Sequence, residues 1–306
     1  MNSQAKCQTG RAPPFLFQPP AHPLLSLLGG LLLAGTCLCS HADEAESAAE
    51  PDGPPPGWVG PPPGWSGGVL MGAARMPDYE GSRSSRNQPV LGAIFTYRSA
   101  TWGSVEMGSR GLNLTMVQTP ELSLGVGLSM DPGRIDNDDR KLTAVGYRPG
   151  NAQLAGMGTI DITPVLSAFG SAKVVGVPFT AALKHATASH EGTQLDLGLA
   201  LPWKFARHAE LSIAPSLTWA DQRYMQAFFG VTDEQALASH RAVFETQASL
   251  KSAQLSLALD MALSRNWHFN ANLQARRLVG DAAKSPLTEK TTQVGLQLAA
   301  LYAFQL

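Results

Sequence analysis

The chain has 306 residues, of which 44% are hydrophobic and only 15% are charged, and its net charge is −1. No window is apolar enough to cross a bilayer as a helix, and soluble proteins usually carry about 25% charged residues. The near-zero charge disfavours a nucleic-acid partner, because phosphate binding needs a basic surface. The classes that remain are a secreted β-protein and a membrane β-barrel.

The N-terminal region predicts export. Leu24–Cys39 is an apolar run of 16 residues, which is short against the roughly 20 residues of a transmembrane helix. Ser40-His41-Ala42 follows and fits the small-x-small pattern of a cleavage site. We therefore predict a cleaved signal peptide over residues 1–42, in preference to a short buried core helix.

The cysteines bear on the same prediction. The sequence has three, Cys7, Cys37 and Cys39, and all lie in the predicted signal peptide. Lipoprotein export through Cys37 or Cys39 is the alternative route, but neither is preceded by the expected residues. The mature chain is predicted to have neither a disulfide nor a thiolate metal site.

Residues 43–66 are predicted to form a disordered periplasmic leader rich in Pro, Gly and Trp. The segment contains a heptad repeat, Pro54–Gly60 and then Pro61–Gly67. Pro triplets favour polyproline II and cannot enter a sheet ladder. The favoured interpretation is a stiff spacer with two interfacial tryptophans, and the alternative is a docking peptide for an aromatic groove.

From residue 67 to 306 the pattern has a period of two. In 122–130 and 292–304, for example, Leu, Val, Met and aromatic residues alternate with Ser, Gly, Gln and Ala. A soluble sandwich usually carries Lys, Glu and Arg on its outward face, whereas here the polar face is small and uncharged. Apolar runs of about ten residues with aromatics near their ends are typical of strands that cross a membrane. The predicted fold class is all-β, an antiparallel transmembrane β-barrel.

Twelve strands are predicted, separated alternately by short turns and by long loops. They fall at 67–76, 89–98, 102–109, 111–118, 121–130, 158–169, 174–186, 193–203, 209–219, 254–264, 266–278 and 292–304. Residues 102–118 could also be one long strand, which would lower the count, and 242–252 is a further strand-like piece. Twelve tilted strands give a backbone diameter of about 24 Å, so a wide general porin is not expected.

The sequence predicts no catalytic, cofactor-binding or metal site, and no enzyme. The histidines of the mature chain lack metal-ligand spacing, and neither a nucleophile elbow nor a phosphate loop is present. Asp78, Glu80 and His190 could converge at the outer rim, although any barrel has such loop residues. We interpret residues 78–81 as a structured tight loop, with ligand binding as the alternative.

Other charged residues have structural interpretations. The run 136–139 contains three Asp and one Asn but lacks the Gly and Glu of a calcium loop. We interpret it as an acidic loop that could contact divalent-bridged lipopolysaccharide. Asp196, Asp260 and Arg276 lie on polar strand faces, and we expect them to face the lumen and pair, because charges at membrane depth are costly against lipid.

Four segments, in order, resemble motifs of the MltA-interacting protein (MipA) / OmpV family of outer-membrane proteins. They are Met76–Ser82, Gly158–Pro164, Thr218–Thr232 and Arg277–Pro286. The order and spacing agree over about residues 67–304.

The resemblance implies a barrel in the outer membrane of a Gram-negative cell, in contact with lipid and lipopolysaccharide. One member of the family is regarded as a scaffold for a murein-degrading transglycosylase and a murein synthase, and others as adhesins, antigens or porin-like proteins. A non-enzymatic scaffold with periplasmic murein-synthesising and murein-degrading partners is the favoured function. A small-solute channel or a surface adhesin is the alternative.

Overall fold

The computed structural model describes residues 63–109, 111–136, 140–143 and 146–305. The predicted signal peptide and residues 43–62 of the predicted leader lie outside the described residues. Within the described part of the chain, no helix is long and apolar enough to span a membrane.

The described residues form fifteen strand segments. In chain order they are Gly64–Pro77 (β1), Ser85–Arg98 (β2), Ser104–Gly108 (β3), Gly111–Gln118 (β4), Leu122–Asp131 (β5), Arg140–Thr143 (β6), Gly146–Pro149 (β7), Thr163–Val174 (β8), Val177–Ala186 (β9), Thr193–Leu199 (β10), Leu201–Ala206 (β11), Ala209–Ala220 (β12), Ser249–Ala262 (β13), Trp267–Leu278 (β14) and Thr292–Gln305 (β15).

Twelve antiparallel strands close into a barrel, as the sequence predicts. β10 and β11 are separated only by Ala200 and together act as one strand, because both pair with β12. The pairing of β10 with β9 on its other edge closes the circle, so the wall has no free ends. β6 and β7 form a separate hairpin in the loop between β5 and β8. Residues 102–118 hold two strands joined by a tight turn, with Gly108 opposite Gly111.

The walls bury their polar face and expose their apolar face. In β15, Val294, Leu296 and Leu298 are exposed, whereas Gln293 and Gln297 are 6% and 7% exposed. Successive side chains of a strand point to opposite faces, so the leucines face outward to lipid and the glutamines face the lumen. This arrangement is the reverse of a soluble core and confirms the predicted transmembrane register.

Aromatic side chains gather at the end of the barrel where the turns are short. Trp65 packs on Tyr97 with ring centroids 5.1 Å apart, and Trp267 packs on Tyr302 at 5.2 Å. Such girdles mark the interface between hydrocarbon and headgroups. β1 starts at Gly64, three residues before the expected start of the barrel, because Trp65 pairs in register with Tyr97.

The strand expected at 158–169 lies five residues later, at Thr163–Val174. Residues 158–162 stay in the preceding loop, where Ile160 bridges to Arg134. The turn that follows β8 falls at Val175 and Gly176, which have φ angles of 51° and 78°. The sequence analysis leaves 170–173 between two predicted strands, but these residues continue β8.

The long connections contain short helices that the sequence analysis did not predict. They are a 3₁₀ helix at Ala152–Leu154 and the α-helices Gln222–Phe229 (α1), Asp233–Ser239 (α2) and Gly280–Lys284 (α3). All lie at the barrel end opposite the aromatic girdle, which we call the loop mouth.

Candidate functional site

The long loops contact one another across the loop mouth. Arg241 donates through its guanidinium to the carbonyl oxygens of Pro286 (2.6 Å) and Gln153 (2.7 Å). Gln235 donates to the carbonyl of Met157 at 2.7 Å. These residues belong to loops that leave the barrel after β5, β12 and β14, on different sides of the wall, so their contacts cover the opening.

The covering loops have a small apolar core of their own. Tyr224, Met225 and Phe229 of α1 are fully buried against Leu278 and Ala282. The Asp221 side chain caps α1 by accepting from the backbone N–H of Tyr224 at 2.8 Å. The cover is therefore an ordered part of the fold.

The connection between β1 and β2, residues 78–84, folds toward the lumen, and we call it loop 1. Gln293 of β15 fastens its backbone. The Gln293 side-chain amide donates to the carbonyls of Tyr79 (3.0 Å) and Ser82 (2.8 Å) and accepts from the N–H of Gly81 (3.1 Å). One buried glutamine thus satisfies three backbone groups of loop 1.

The candidate functional site is the ion cluster that Glu80 of loop 1 forms with two strands. Both carboxylate oxygens of Glu80 lie 3.2 Å from Nζ of Lys251 in β13. Nη1 of Arg276, in β14, lies 2.5 Å from the same carboxylate. Gln254 supports the arrangement by accepting from Nε of Arg276 at 2.9 Å.

Lys251 is the most enclosed member of the cluster, with a side chain 2% exposed. It also donates to Oε1 of Gln194 (3.0 Å) and to the hydroxyl of Tyr224 (3.3 Å), and its Nζ lies 4.6 Å from the Tyr224 ring centroid. The irregular register of β13 opposite Thr218 and Trp219 allows Lys251 and Ser252 both to be buried. The cluster therefore ties loop 1, α1 and three strands together.

The electrostatics of loop 1 follow from this geometry. Burial by itself raises the pKa of Glu80, but the Lys251 ammonium and the Arg276 guanidinium outweigh it and hold the pKa below its ordinary value. Burial raises the pKa of the Tyr224 hydroxyl, and the nearby carboxylates of Glu80 and Asp131 add to the effect. Glu80 is thus ionised and Tyr224 neutral at pH 7.

Two further pairs surround the cluster. Lys184 Nζ lies 2.8 Å from Asp196, which also accepts from the Thr218 hydroxyl at 2.5 Å. His190 lies 3.7 Å from Asp131 and packs edge-on against Tyr224 and Phe228. Lys184 and Asp196 are therefore a matched pair of opposite charges inside the wall.

The three rim residues expected to converge do not form one site. Glu80 joins the cluster. Asp78 instead binds Arg86 (2.8 Å) and Asn151 (3.1 Å), and His190 pairs with Asp131. Residues 78–81 do form the expected tight loop, with Gly81 at a φ of 99°.

The expectation that lumenal charges pair is confirmed for Asp196 and Arg276, whereas Asp260 accepts from an uncharged amide. Asp196 pairs with Lys184, Asp260 accepts from Asn270 at 2.5 Å, and Arg276 pairs with Glu80. Of the acidic run 136–139, Asp136 lies 3.5 Å from the Thr159 hydroxyl, and the other three residues lie outside the described part.

The sequence analysis missed Lys251, Tyr224 and Gln194. The sequence offered one signal for Lys251, because this single cation comes just before the alternating part of β13. Within the described ranges, no group of three or more His, Cys, Asp or Glu side chains could hold a metal ion.

The fold and the site define a class of protein, a closed transmembrane β-barrel. Hydrogen-bonded loops cover its loop mouth, and loop 1 is ion-paired to the wall. Residues 69–304 match the model of the family described as MltA-interacting protein MipA. The chain belongs to this family, and it is an outer-membrane barrel protein.

Solved structures align with the chain at low identity and low TM-score. OmpT of Vibrio cholerae aligns at 7% identity and a TM-score of 0.37, over 78% of this chain and 97% of that chain. The translocator domain of the autotransporter NalP from Neisseria meningitidis aligns at 10% identity and 0.39, over 80% and 90%. A bacterial polysaccharide outer membrane secretin aligns at 8% identity and 0.40, over 78% and 98%. Among curated protein sequences, none matches the chain.

Proposed function

We propose that this protein is a non-enzymatic scaffold of the outer membrane that holds murein-degrading and murein-synthesising enzymes at its periplasmic side. The observation that carries the proposal is the covered loop mouth. Loops from several sides of the wall contact one another there, which favours a role in binding partners over a role as an open pore. The family description, MltA-interacting protein, supports a partner of the murein-degrading class.

The orientation that fits this proposal places the loop mouth outside the cell and both chain ends in the periplasm. An even strand count brings both ends of a barrel to one side, and short turns usually face the periplasm. Export with cleavage after Ala42 is part of the proposal, and N-terminal sequencing of the envelope protein should then begin at Asp43. The leader would lie where murein enzymes work.

The two tryptophans of the heptad repeat provide a matched test of partner docking. Trp65 belongs to β1 and packs on Tyr97, whereas Trp58 precedes the described barrel. If the leader docks the partner, Trp58→Ala should weaken pull-down of a purified MltA-type transglycosylase at least about tenfold, as expected for loss of a tryptophan anchor. Trp65→Ala should leave the pull-down unchanged and lower only the barrel's thermal stability.

The outcomes of this test separate the candidate functions. Loss of capture in Trp58→Ala alone supports a leader-docked scaffold, and loss in Trp65→Ala alone indicates docking on the barrel wall. If the wild-type protein, folded in outer-membrane vesicles, captures neither a transglycosylase nor a murein synthase, the scaffold proposal is wrong.

A further inference from the structure

Apart from the paired charges, the lumen beneath loop 1 is lined by uncharged polar side chains. At least nine-tenths buried among them are, for example, Gln254, Ser256, Asn270, Asn272, Gln274 and Gln297. Of these six described residues, Oδ1 of Asn270, Oδ1 of Asn272 and Nε2 of Gln297 have no hydrogen-bond partner. An unsatisfied polar atom at membrane depth is costly, so these groups require water. The lumen is therefore a polar, hydrated interior and not a sealed apolar core.

This interior ends at loop 1. A recess lies where loop 1 meets the wall, and Tyr79, Glu80, Gln274, Arg276 and Gln293 are among the residues that line it. Gln274 and Gln293 are lumenal residues of β14 and β15. The recess thus joins the lumen to the underside of loop 1, at the level of the ion cluster.

One carboxylate of loop 1 neutralises two buried cations. The Glu80 carboxylate is shared by Lys251 and Arg276, which come from adjacent strands. Without it, the two cations would lie close together in a buried site, where like charges repel strongly. The Gln293 amide also fastens loop 1 to the wall, and the backbone N–H groups of Glu289 and Lys290 donate to the carbonyl of Gly81 at 2.8 and 2.9 Å.

We propose that loop 1 is a latch on a latent pore, and that the Glu80 carboxylate is the group that keeps the latch closed. Release of Glu80 lets loop 1 leave the recess, and movement of the loop after β14, which donates to Gly81 and contacts Arg241, then joins the hydrated lumen to the outside. The open form passes water and small polar solutes, because the wall presents amides and hydroxyls. This gating function is separate from partner docking and does not depend on it.

The test compares Glu80→Gln with Glu289→Gln in planar bilayers and in liposomes loaded with a small sugar. Glu289 also contacts loop 1, through the Tyr79 hydroxyl and the N–H of Arg83, but it holds neither buried cation. Wild type and Glu289→Gln should stay closed. Glu80→Gln should raise the open-to-closed ratio at least about 100-fold, since removing one partner of a buried ion pair is strongly unfavourable for the paired state.

A second variant keeps the test decisive if Glu80→Gln fails to assemble. Gln293→Ala unfastens the loop backbone and leaves the charges intact, so it should also raise the open fraction, by a smaller factor. A cysteine at Ser256, in the lumen, should react with an impermeant thiol reagent added from the loop side in either variant and not in the wild-type background. If the folded variants conduct no more than wild type and Ser256→Cys stays protected, the latch is refuted.

Discussion

Glu80 shows how one residue can decide the state of a loop. A buried ion pair contributes little net stability compared with an apolar replacement, but loss of one partner leaves the other charge uncompensated, at a cost of about 3–5 kcal/mol. Here one carboxylate has two cationic partners, Lys251 and Arg276. Loss of the Glu80 carboxylate therefore destabilises the closed position of loop 1, because the two cations stay fixed in the wall.

The lowered pKa of Glu80 predicts a pH dependence of loop 1. A carboxyl whose pKa is depressed in the folded state stabilises that state above its ordinary pKa of 4.5 and loses this contribution as the pH falls through the lower folded value. Hydrogen exchange at the amides of residues 78–84, corrected for intrinsic rates, should therefore increase below about pH 4.5 and be constant from pH 5 to 7.

Glu80→Gln isolates this effect from other titrating groups, among them Asp131. The variant should exchange rapidly in loop 1 at every pH, with no acid transition, whereas Glu289→Gln should keep the transition. A wild-type loop with equal protection at pH 3 and pH 7 would show that the ionised carboxylate does not hold it.

Part of the residue-scale picture was visible in the sequence. Asp196 and Arg276 could be assigned to the lumen because each occupies a polar position in an alternating strand. The partner of Glu80 could not be assigned, since Lys251 is 171 positions away and the two meet only through the closure of the barrel and the folding of loop 1. Alternation shows which face of the sheet a residue occupies, but it does not show which residue lies opposite.

At the scale of the element, strands and loops differed in how far they could be predicted. β15 was found because apolar residues alternate with polar or small ones along it, and its positions 292–299 alternate strictly between exposed and buried. The helices of the loops were not predicted, although Thr232 and Gln235 form a capping box that marks the start of α2. Helices of seven or eight residues are stabilised by packing on the rest of the protein and not by their own propensity, so their sequences carry little periodic signal.

The lipid-facing side of β15 gives a prediction at this scale. Leu298 lies in the middle of the strand and is 43% exposed on the outer face. Leu298→Arg should cost about 2–4 kcal/mol of folding free energy, because a charge at the bilayer midplane faces hydrocarbon. Urea unfolding in phospholipid vesicles measures this cost.

The matched control introduces the same Leu-to-Arg substitution at a position that faces water. Leu237 lies on α2 at the loop mouth and is 82% exposed, so Leu237→Arg should change stability by less than about 0.5 kcal/mol. If the two substitutions prove equally tolerated, β15 does not face lipid and the assigned register is wrong.

At the scale of the whole molecule, the closed wall of strands determines which groups the loops at the mouth must provide. A barrel removes every strand edge from the hydrocarbon, but it leaves an interior that must be filled or hydrated. In this chain the strands supply amides and paired charges, and the loops supply Glu80 and Tyr224 as partners for Lys251 and Arg276. Burial lowers the pKa of Arg134 to about 10, so it remains charged at pH 7 while donating to the carbonyl of Phe228 at 2.9 Å.

The orientation of the whole barrel is the remaining prediction. Leu237 at the loop mouth and Arg207 in the short turn between β11 and β12 are both exposed and lie at opposite ends. If the long loops face outward, a cysteine at Leu237 should react with an impermeant maleimide on intact cells. A cysteine at Arg207 should react only after the outer membrane is permeabilised. Background labelling is small, because the sequence has cysteines only at 7, 37 and 39, in the predicted signal peptide. The reverse pattern would place the loop mouth and its latch in the periplasm and both chain ends outside. A leader on that side could not meet murein enzymes, so the scaffold proposal would fail, whereas the Glu80 latch could still be tested in vesicles.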